Sequence, residues 1–325
     1  MANLKNTSID DTGFVQIQAA SESQRPSSPN SAIIRINTDI NETEYYNGSF
    51  WQTYTERLQA ETTGSVSTFD TKQFRTHIFT GSGSLNVKTP GIIEYFIVAG
   101  GGSANDAEGN SAGDGAGGGG GGGVLQGFVE LTPQTYTVIV GAGGSPESSG
   151  QDSSAFGLTA FGGGRGGGRR NSGVRSGGSG GGAGGTCLDS GTRLGGGETP
   201  GQGNRGGNDL SDTSSCSARG GMGGGGAGEP GNDSSSQTGV DGGDGILSSI
   251  SGESKYYAGG GGGGRGADTS TGGTGGLGGG GNGGNGSTSA QNGETNTGGG
   301  GGGGASGDTT AGSGGSGIII IRYKI

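Results

Sequence analysis

The 325-residue chain is short of most of what builds an ordinary core or active site. It has one histidine, two cysteines, seven prolines and one tryptophan, and aromatics make up 6%. Nucleophilic sites of the Ser-His-Asp or Cys-His kind need a histidine base. His77 stands in an alternating strand pattern with no acidic neighbour in sequence, so it reads as a strand residue. No His and Cys spacing matches a metal centre, and no metal or cofactor is expected. Cys187 and Cys216 lie 29 positions apart and make no disulfide framework. No apolar run approaches the 18 or more residues of a membrane span; the longest, Ile318–Ile321, is strand-like. The start of the sequence shows no apolar leader, which points to synthesis in a cytoplasm. Basic residues are also few: 18 Lys and Arg against 28 Asp and Glu give a net charge of −10. That balance disfavours nucleic acid and anionic membrane as partners.

Phosphate and catalytic motifs fail as well. No Gly-Lys-Ser/Thr occurs, so there is no P-loop. A strand at Thr135–Val140 runs into Gly141-Ala142-Gly143-Gly144, but Pro146 stands where a dinucleotide fingerprint wants its third glycine. Asp241–Gly245 (DGGDG) has no recurring nonapeptide of a calcium repeat and reads as a turn. No pair among the 28 acids stands out for glycosidase work. The reading is a non-enzyme.

What the chain has is glycine: 91 residues, in unbroken runs at Gly117–Gly123, Gly259–Gly264 and Gly298–Gly304. Fixing a backbone costs roughly 1–2 kcal/mol per residue, and one hydrogen bond returns about 1 kcal/mol net, so an isolated run stays unfolded. A lattice resolves this. The extended threefold helix has three residues per turn and no internal hydrogen bonds. Its N–H and C=O groups point outward and need partners. Without Cβ atoms, neighbouring helices approach closely enough to supply them. Seven prolines and no Gly-X-Y register exclude collagen. The expected fold is mostly β and irregular: a small N-terminal β-hairpin module, then antiparallel strands capping a polyglycine II helix bundle.

Two domains are expected, 1–60 and 61–325. In the first, Val15–Ile17 and Ile33–Asn37 read as strands, Gln24–Asn30 as a rigid turn, and Glu44–Tyr46 and Phe50–Tyr54 as a hairpin about Asn47-Gly48. Such a unit is too small to bury its own core. Tyr45, Tyr46, Phe50, Trp51 and Tyr54 are therefore expected at an assembly contact, with a threefold or similar axis. Residues 55–65 read as a linker. Beyond them, Phe74–Thr80 and Ser84–Lys88 are expected to turn at Gly81-Ser82-Gly83. Ile92–Ala99, Val124–Leu131, Thr135–Val140, Ser154–Phe161, Ile246–Ile250, Lys255–Ala258 and Ile318–Lys324 follow as strands, with the first and last of the domain pairing.

The segments IIEYFIVAGGG (92–102), GGGGGGGVLQGFVELTPQTYTVIVGAGG (117–144), SSAFGLTAFGGG (153–164), LSSISGESKYYAGGGGGG (247–264), NTGGGGGGG (296–304) and GGSGIIIIRY (314–323) resemble the glycine-rich domain of bacteriophage tail-fibre and receptor-binding proteins. Residues 24–52 resemble a hairpin module of phage fibre proteins. The resemblance implies a virion adhesin, on tail fibre or capsid surface, that displays loops on a polyglycine scaffold. It implies a bacterial surface glycan or protein receptor; the N-terminal module is expected to join other virion proteins and, by its aromatics, to form a homo-oligomer, a trimer being the expected state. The insert 165–219 matches no family pattern, and by its sequence it breaks the lattice. It holds the arginine cluster Arg165, Arg169, Arg170 and Arg175 and the polar run Asn204, Arg205, Asn208 and Asp209, all candidates for receptor contact. Solvated loop charge is the plainer reading of the arginines. Ice binding, another use of polyglycine bundles, wants Thr or Ala at every third residue over a flat face, and the Gly-Gly-Thr and Gly-Gly-Leu steps at 272–277 are too brief for it.

Overall fold

The computed structural model describes residues 19–25, 33–39, 42–46, 51–53, 57–106, 113–168, 173–185, 192–210, 219–266, 271–307 and 310–325. They form two compact units, Met1–Arg57 and Leu58–Ile325. No α-helix occurs among the described residues.

The first unit is a four-stranded sheet in the order β1 (Ala19–Ala20), β2 (Ile34–Asn37), β3 (Glu42–Tyr46), β4 (Trp51–Thr53). β1 runs parallel to β2, and the other pairs are antiparallel, with Tyr46 opposite Trp51. Its centre is ionic. Glu44 is fully buried and accepts from Arg25 Nε and Nη2 at 3.0 and 2.5 Å and from Asn37 Nδ2 at 3.2 Å. The Arg25 hydrogen bond is the main reason that Glu44 sits below the usual carboxylate range. So small a sheet cannot bury a large apolar core, and a charge cluster tied to three segments fixes its register instead. The turn expected at Asn47-Gly48, the strand at Val15–Ile17, and Phe50 and Tyr54 lie outside the described residues.

The second unit has a sheet at one end and a glycine lattice at the other. Its strands are β5 (Gln59–Asp70), β6 (Phe74–Thr89), β7 (Gly91–Val98), β8 (Val124–Leu131), β9 (Thr135–Val138), β10 (Ser153–Ala155), β11 (Leu158–Ala160), β12 (Ile246–Ser248), β13 (Lys255–Tyr257) and β14 (Ile318–Lys324). The main sheet runs β5-β6-β14-β7-β8, antiparallel throughout, with β9 alongside the far half of β6. The last strand thus lies between β6 and β7, near the start of the domain. Strand side chains alternate between faces, which explains the isoleucine run. Ile319 and Ile321 enter one core with Phe79, Leu85, Ile93 and Ile97. Ile318 and Ile320 enter a second core with Phe96, Ile250 and Tyr257.

Three strand assignments change. Residues 59–65 are strand, not linker. Gly81–Gly83 is no turn: β6 runs straight through it, and β5 carries the irregularity instead, between Gly64 and Val66. A Cβ on Gly83 would lie 1.9 Å from the Thr63 carbonyl, and Gly64 has φ +97°, so these glycines admit a bulge. Ser154–Phe161 is a tight hairpin, β10–β11, turning at Phe156 and Gly157 with φ 58° and 78°.

The lattice confirms the threefold helix by its bonding period. Gly117, Gly120 and Gly123 donate to Gly167, Gly164 and Phe161. Gly118 and Gly121 donate to Met222 and Gly225, and Gly119 and Gly122 to Gly301 and Gly298, all at 2.8–2.9 Å. Carbonyls of the same run accept with the same step of three: Gly115, Gly118 and Gly121 from Gly185, Gly182 and Ser179; Ala116 and Gly119 from Gly264 and Gly261; Gly120 and Gly123 from Gly102 and Ala99. Each third residue meets the same neighbour, so one helix is ringed by six others. Residues 259–266 show the same pattern, donating in turn to 278–284, 237–243 and 116–119. Bare glycine is needed where all sides have neighbours. A Cβ on Gly120, Gly261 or Gly301 would lie 2.0–2.3 Å from a facing carbonyl oxygen.

The insert does not break this pattern. Residues 177–185 donate to Gly121, Gly118 and Gly115 and to Asn204 and Gly207, and accept from Gly164, Gly167, Gly225 and Met222. Over 177–185 the buried positions are Gly, Ser and Ala, so this part of the insert adds a helix to the lattice.

Candidate functional site

Helices leave the sheet from Val98 and return to it at Val124 and Ile318, so the bundle has a sheet end and a free end. At the free end Gly115 meets Gly185 and Arg219, Asp106 Oδ1 accepts from Ala311 N–H at 2.8 Å, and Ser306 donates to the Arg265 carbonyl. The described ends of several connecting loops therefore gather there.

The arginines act as clips. Arg165, half-buried, donates from Nε to the Gly173 carbonyl at 2.9 Å and from Nη1 to the Glu147 carbonyl at 2.6 Å. Arg219 Nη1 donates to the Ser235 carbonyl. Arg205 forms a two-pronged pair with Asp233 at 2.7 and 3.0 Å, and Asn208 N–H donates to the same carboxylate at 2.7 Å. Burial works against the Asp233 charge, but the bonds from Arg205 and Asn208 outweigh it and hold the carboxyl below its usual range. Asn204 Nδ2 donates to the Gly226 and Ala227 carbonyls, and Asn208 Oδ1 accepts from Gly195 N–H at 2.9 Å. Asp209 is fully buried, with Arg193 Nη1 3.0 Å from its carboxylate. The Arg175 side chain remains exposed and donates to the neighbouring Val174 carbonyl, while its backbone bonds to Arg165 and Gly181. Arg169 and Arg170 lie outside the described residues, as do both cysteines. The sequence-nominated residues are thus mostly spent on joining segments.

A role the sequence reading missed belongs to Asp and Asn. On the outer wall some N–H groups have no neighbouring helix, and a side chain from the next helix replaces the missing carbonyl. Asp241 and Asp244 Oδ1 accept from Thr274 and Leu277 N–H at 2.6 and 2.7 Å. Asn282 Oδ1 accepts from Gly275 N–H and Asn292 Oδ1 from Ser313 N–H, each at 2.8 Å. The DGGDG segment is therefore a straight helix whose two acids, three apart, serve one neighbour; it is not a turn. That spacing of three was the available signal.

His77 is buried in the sheet, its Nδ1 2.7 Å from the Thr68 hydroxyl and its Nε2 3.1 Å from the Tyr323 hydroxyl. Burial pushes its pKa down to about 4, with Arg75 adding to the effect. In the first unit, Tyr46 and Trp51 rings lie 5.6 Å apart and the Arg35 guanidinium sits 5.7 Å over Trp51, while Tyr45 is half-buried. Among the described residues no helix is long and apolar enough to cross a membrane.

The glycine-rich domain family matches residues 79–324, from the middle of β6 through β14. The chain belongs to this family. The matched span covers most of the main sheet and the glycine runs of this chain. A search of curated proteins finds no match.

Proposed function

We propose that this chain is a bacteriophage virion fibre or adhesin whose polyglycine bundle presents recognition surfaces to the bacterial cell. The observation that carries the reading is the bundle's polarity. One end is closed by a six-stranded sheet, and the described ends of several loops gather at the other. A lattice bonded through its own backbone is rigid and holds those surfaces in fixed positions. The Met1–Arg57 unit supplies attachment to other virion proteins and oligomerisation, through Tyr45, Tyr46, Phe50, Trp51 and Tyr54. The protein does no chemistry of its own in this reading.

The test is adsorption. Fluorescently labelled full-length protein should bind cells of a susceptible host and compete with whole phage, and gold-labelled antibody should mark tail tips. Labelling over the capsid would move the protein to a capsid fibre or decoration role. Absence of adsorption to any bacterial strain, with ice crystals reshaped instead, would replace the reading altogether. Arg169, Arg170 and Arg175 are the cationic candidates for anionic glycan groups, since Arg165 is tied to the Gly173 and Glu147 carbonyls. Replacing Arg169, Arg170 and Arg175 by alanine should weaken adsorption most at low salt and leave melting unchanged.

A further inference from the structure

The outer wall built from 271–277 and 279–285 opens, beside residues 288–291, into a cavity of about 200 Å³. Glycine backbone floors it, and Thr271, Thr274, Asn282, Thr288, Ser289 and Gln291 form its rim. No lining residue is charged, aromatic or aliphatic. Much of the rim's hydrogen-bonding capacity is unspent. Asn282 Oδ1 is taken by Gly275 N–H, and Asn285 Oδ1 by Ser287 and Thr288. Among the described residues, the hydroxyls of Thr271, Thr274 and Ser289, the Asn282 amide N–H₂ and the whole Gln291 amide have no hydrogen-bond partner.

We infer that this groove is a subsite for a single uncharged, hydroxyl-bearing sugar ring. An anionic ligand would find no countercharge in the lining, and Asp241, bonded to Thr274 N–H, places an acid beside the groove that repels it. A lipid or aromatic ligand would find no apolar wall. Sugar hydroxyls both donate and accept, and the rim offers both: hydroxyls, an amide N–H₂ and a complete amide. The volume falls below the ~300–1,000 Å³ of sites for drug-sized ligands, so it takes one ring of a longer chain. The groups are already in place. Gly273 and Gly283 are bonded into the lattice at 2.9 Å and Gln291 N–H to the Asn282 carbonyl at 2.8 Å, so little ordering cost is left for binding. Without an aromatic platform a single contact is weak, and repeated copies on a particle and repeated sugars on a polysaccharide supply the avidity. The sugar's source, a cell-surface polysaccharide, rests on the attachment reading; the chemistry of the groove does not.

The test is saturation-transfer NMR on the full-length protein with glucose, galactose, mannose and N-acetylglucosamine, and with glucose 6-phosphate as the charged comparator. At least one neutral sugar should give transfer. It should weaken by roughly tenfold or more in a Thr271→Val/Thr274→Val/Gln291→Leu variant whose melting is unchanged, because all three side chains are exposed and the lattice bonds are backbone. Asn282→Asp keeps the oxygen that holds Gly275 and removes the free donor, and should weaken transfer on its own. No transfer from any neutral sugar, equal transfer in the triple variant, or stronger transfer from glucose 6-phosphate overturns the inference. Cell adsorption separates the two readings. Wild-type protein that adsorbs, with a triple variant that adsorbs equally, removes the groove alone. Wild-type protein that adsorbs to no strain removes the attachment reading, whatever the groove binds.

Discussion

Gly261→Ala is the most direct challenge to the lattice. Gly261 donates to Gly119 and accepts from Gly224, both at 2.8 Å, inside a ring of six helices. A Cβ there would lie 2.0 Å from the Gly301 carbonyl oxygen, against 3.4 Å for an ordinary contact. The two helices must separate by most of that 1.4 Å difference (3.4 − 2.0). Gly301 itself donates to Gly102 at 2.9 Å and accepts from Gly119 at 2.8 Å, so four lattice bonds share the displacement. If two of them are left buried and unmade, at about 1–3 kcal/mol each, the loss centres near 4 kcal/mol. The unfolded-state benefit of replacing glycine by alanine, about 0.4–1 kcal/mol, offsets only a part. For a domain of this size the result is a melting temperature lower by roughly 10 °C. Calorimetry on Gly261→Ala measures it, with Leu277→Ala on the exposed outer wall as a near-neutral control. A soluble Gly261→Ala protein melting within ~2 °C of wild type would refute six-neighbour packing around this helix.

His77 gives a pH effect. Its folded pKa of about 4 lies below the usual 6.5, so the unfolded chain binds the proton first. Stability should be complete above pH 6.5 and fall by up to about 3 kcal/mol toward pH 4, and His77→Asn should lack that slope in denaturant titrations. Asp244→Ala removes the oxygen serving Leu277 N–H; water replaces it at an exposed site, so the cost should be about 1 kcal/mol, with Asp244→Asn near wild type. Glu44→Ala should loosen the first unit by about 3–5 kcal/mol, as for a buried pair, because it also strands Arg35, paired to Glu44 at 3.0 Å with only 6% exposure; amide exchange of β2 and β3 reads it. Deleting residues 1–57 should leave the second unit folded but dissociated, and sedimentation at the full-length mass per assembly would place the oligomer contacts elsewhere.

Much of the fold was legible because glycine allows few alternatives. Seven bare residues can be ordered only by neighbours that bond to them, and that argument needs composition alone. The isoleucines of β14 were also legible, since a continuous apolar run of strand length reads as buried on both faces. Gly81–Gly83 was not. Glycine marks a turn and a close approach with the same letter, and only the partner strand, carrying Gly64 at φ +97°, decides between them. Residues 59–65 were missed for a related reason. An edge strand with one paired side carries mostly exposed polar residues, and its pattern matches a linker until β6 is found beside it.

The candidate site was less legible, and the cause lies in the lattice itself. In a helix of three residues per turn, each residue faces one of three directions, and what fills that direction is set by segments far away in sequence. Asp241 and Asp244 serve helix 271–277, more than 30 positions on, so no local pattern could assign them. Charge was misleading for the same reason. A bundle of bare backbone presents carbonyl acceptors at its loops, and a guanidinium with five donors is drawn to them before any ligand arrives, as Arg165 is at Gly173 and Glu147. Polar groups left unspent are then the short ones on the outer wall, such as Thr271 and Thr274, which project from the lattice and reach no carbonyl. On a scaffold of this kind, the conspicuous charges are consumed by assembly of the fold, and binding capacity is to be sought where an outward third residue is small, polar and flanked by glycine.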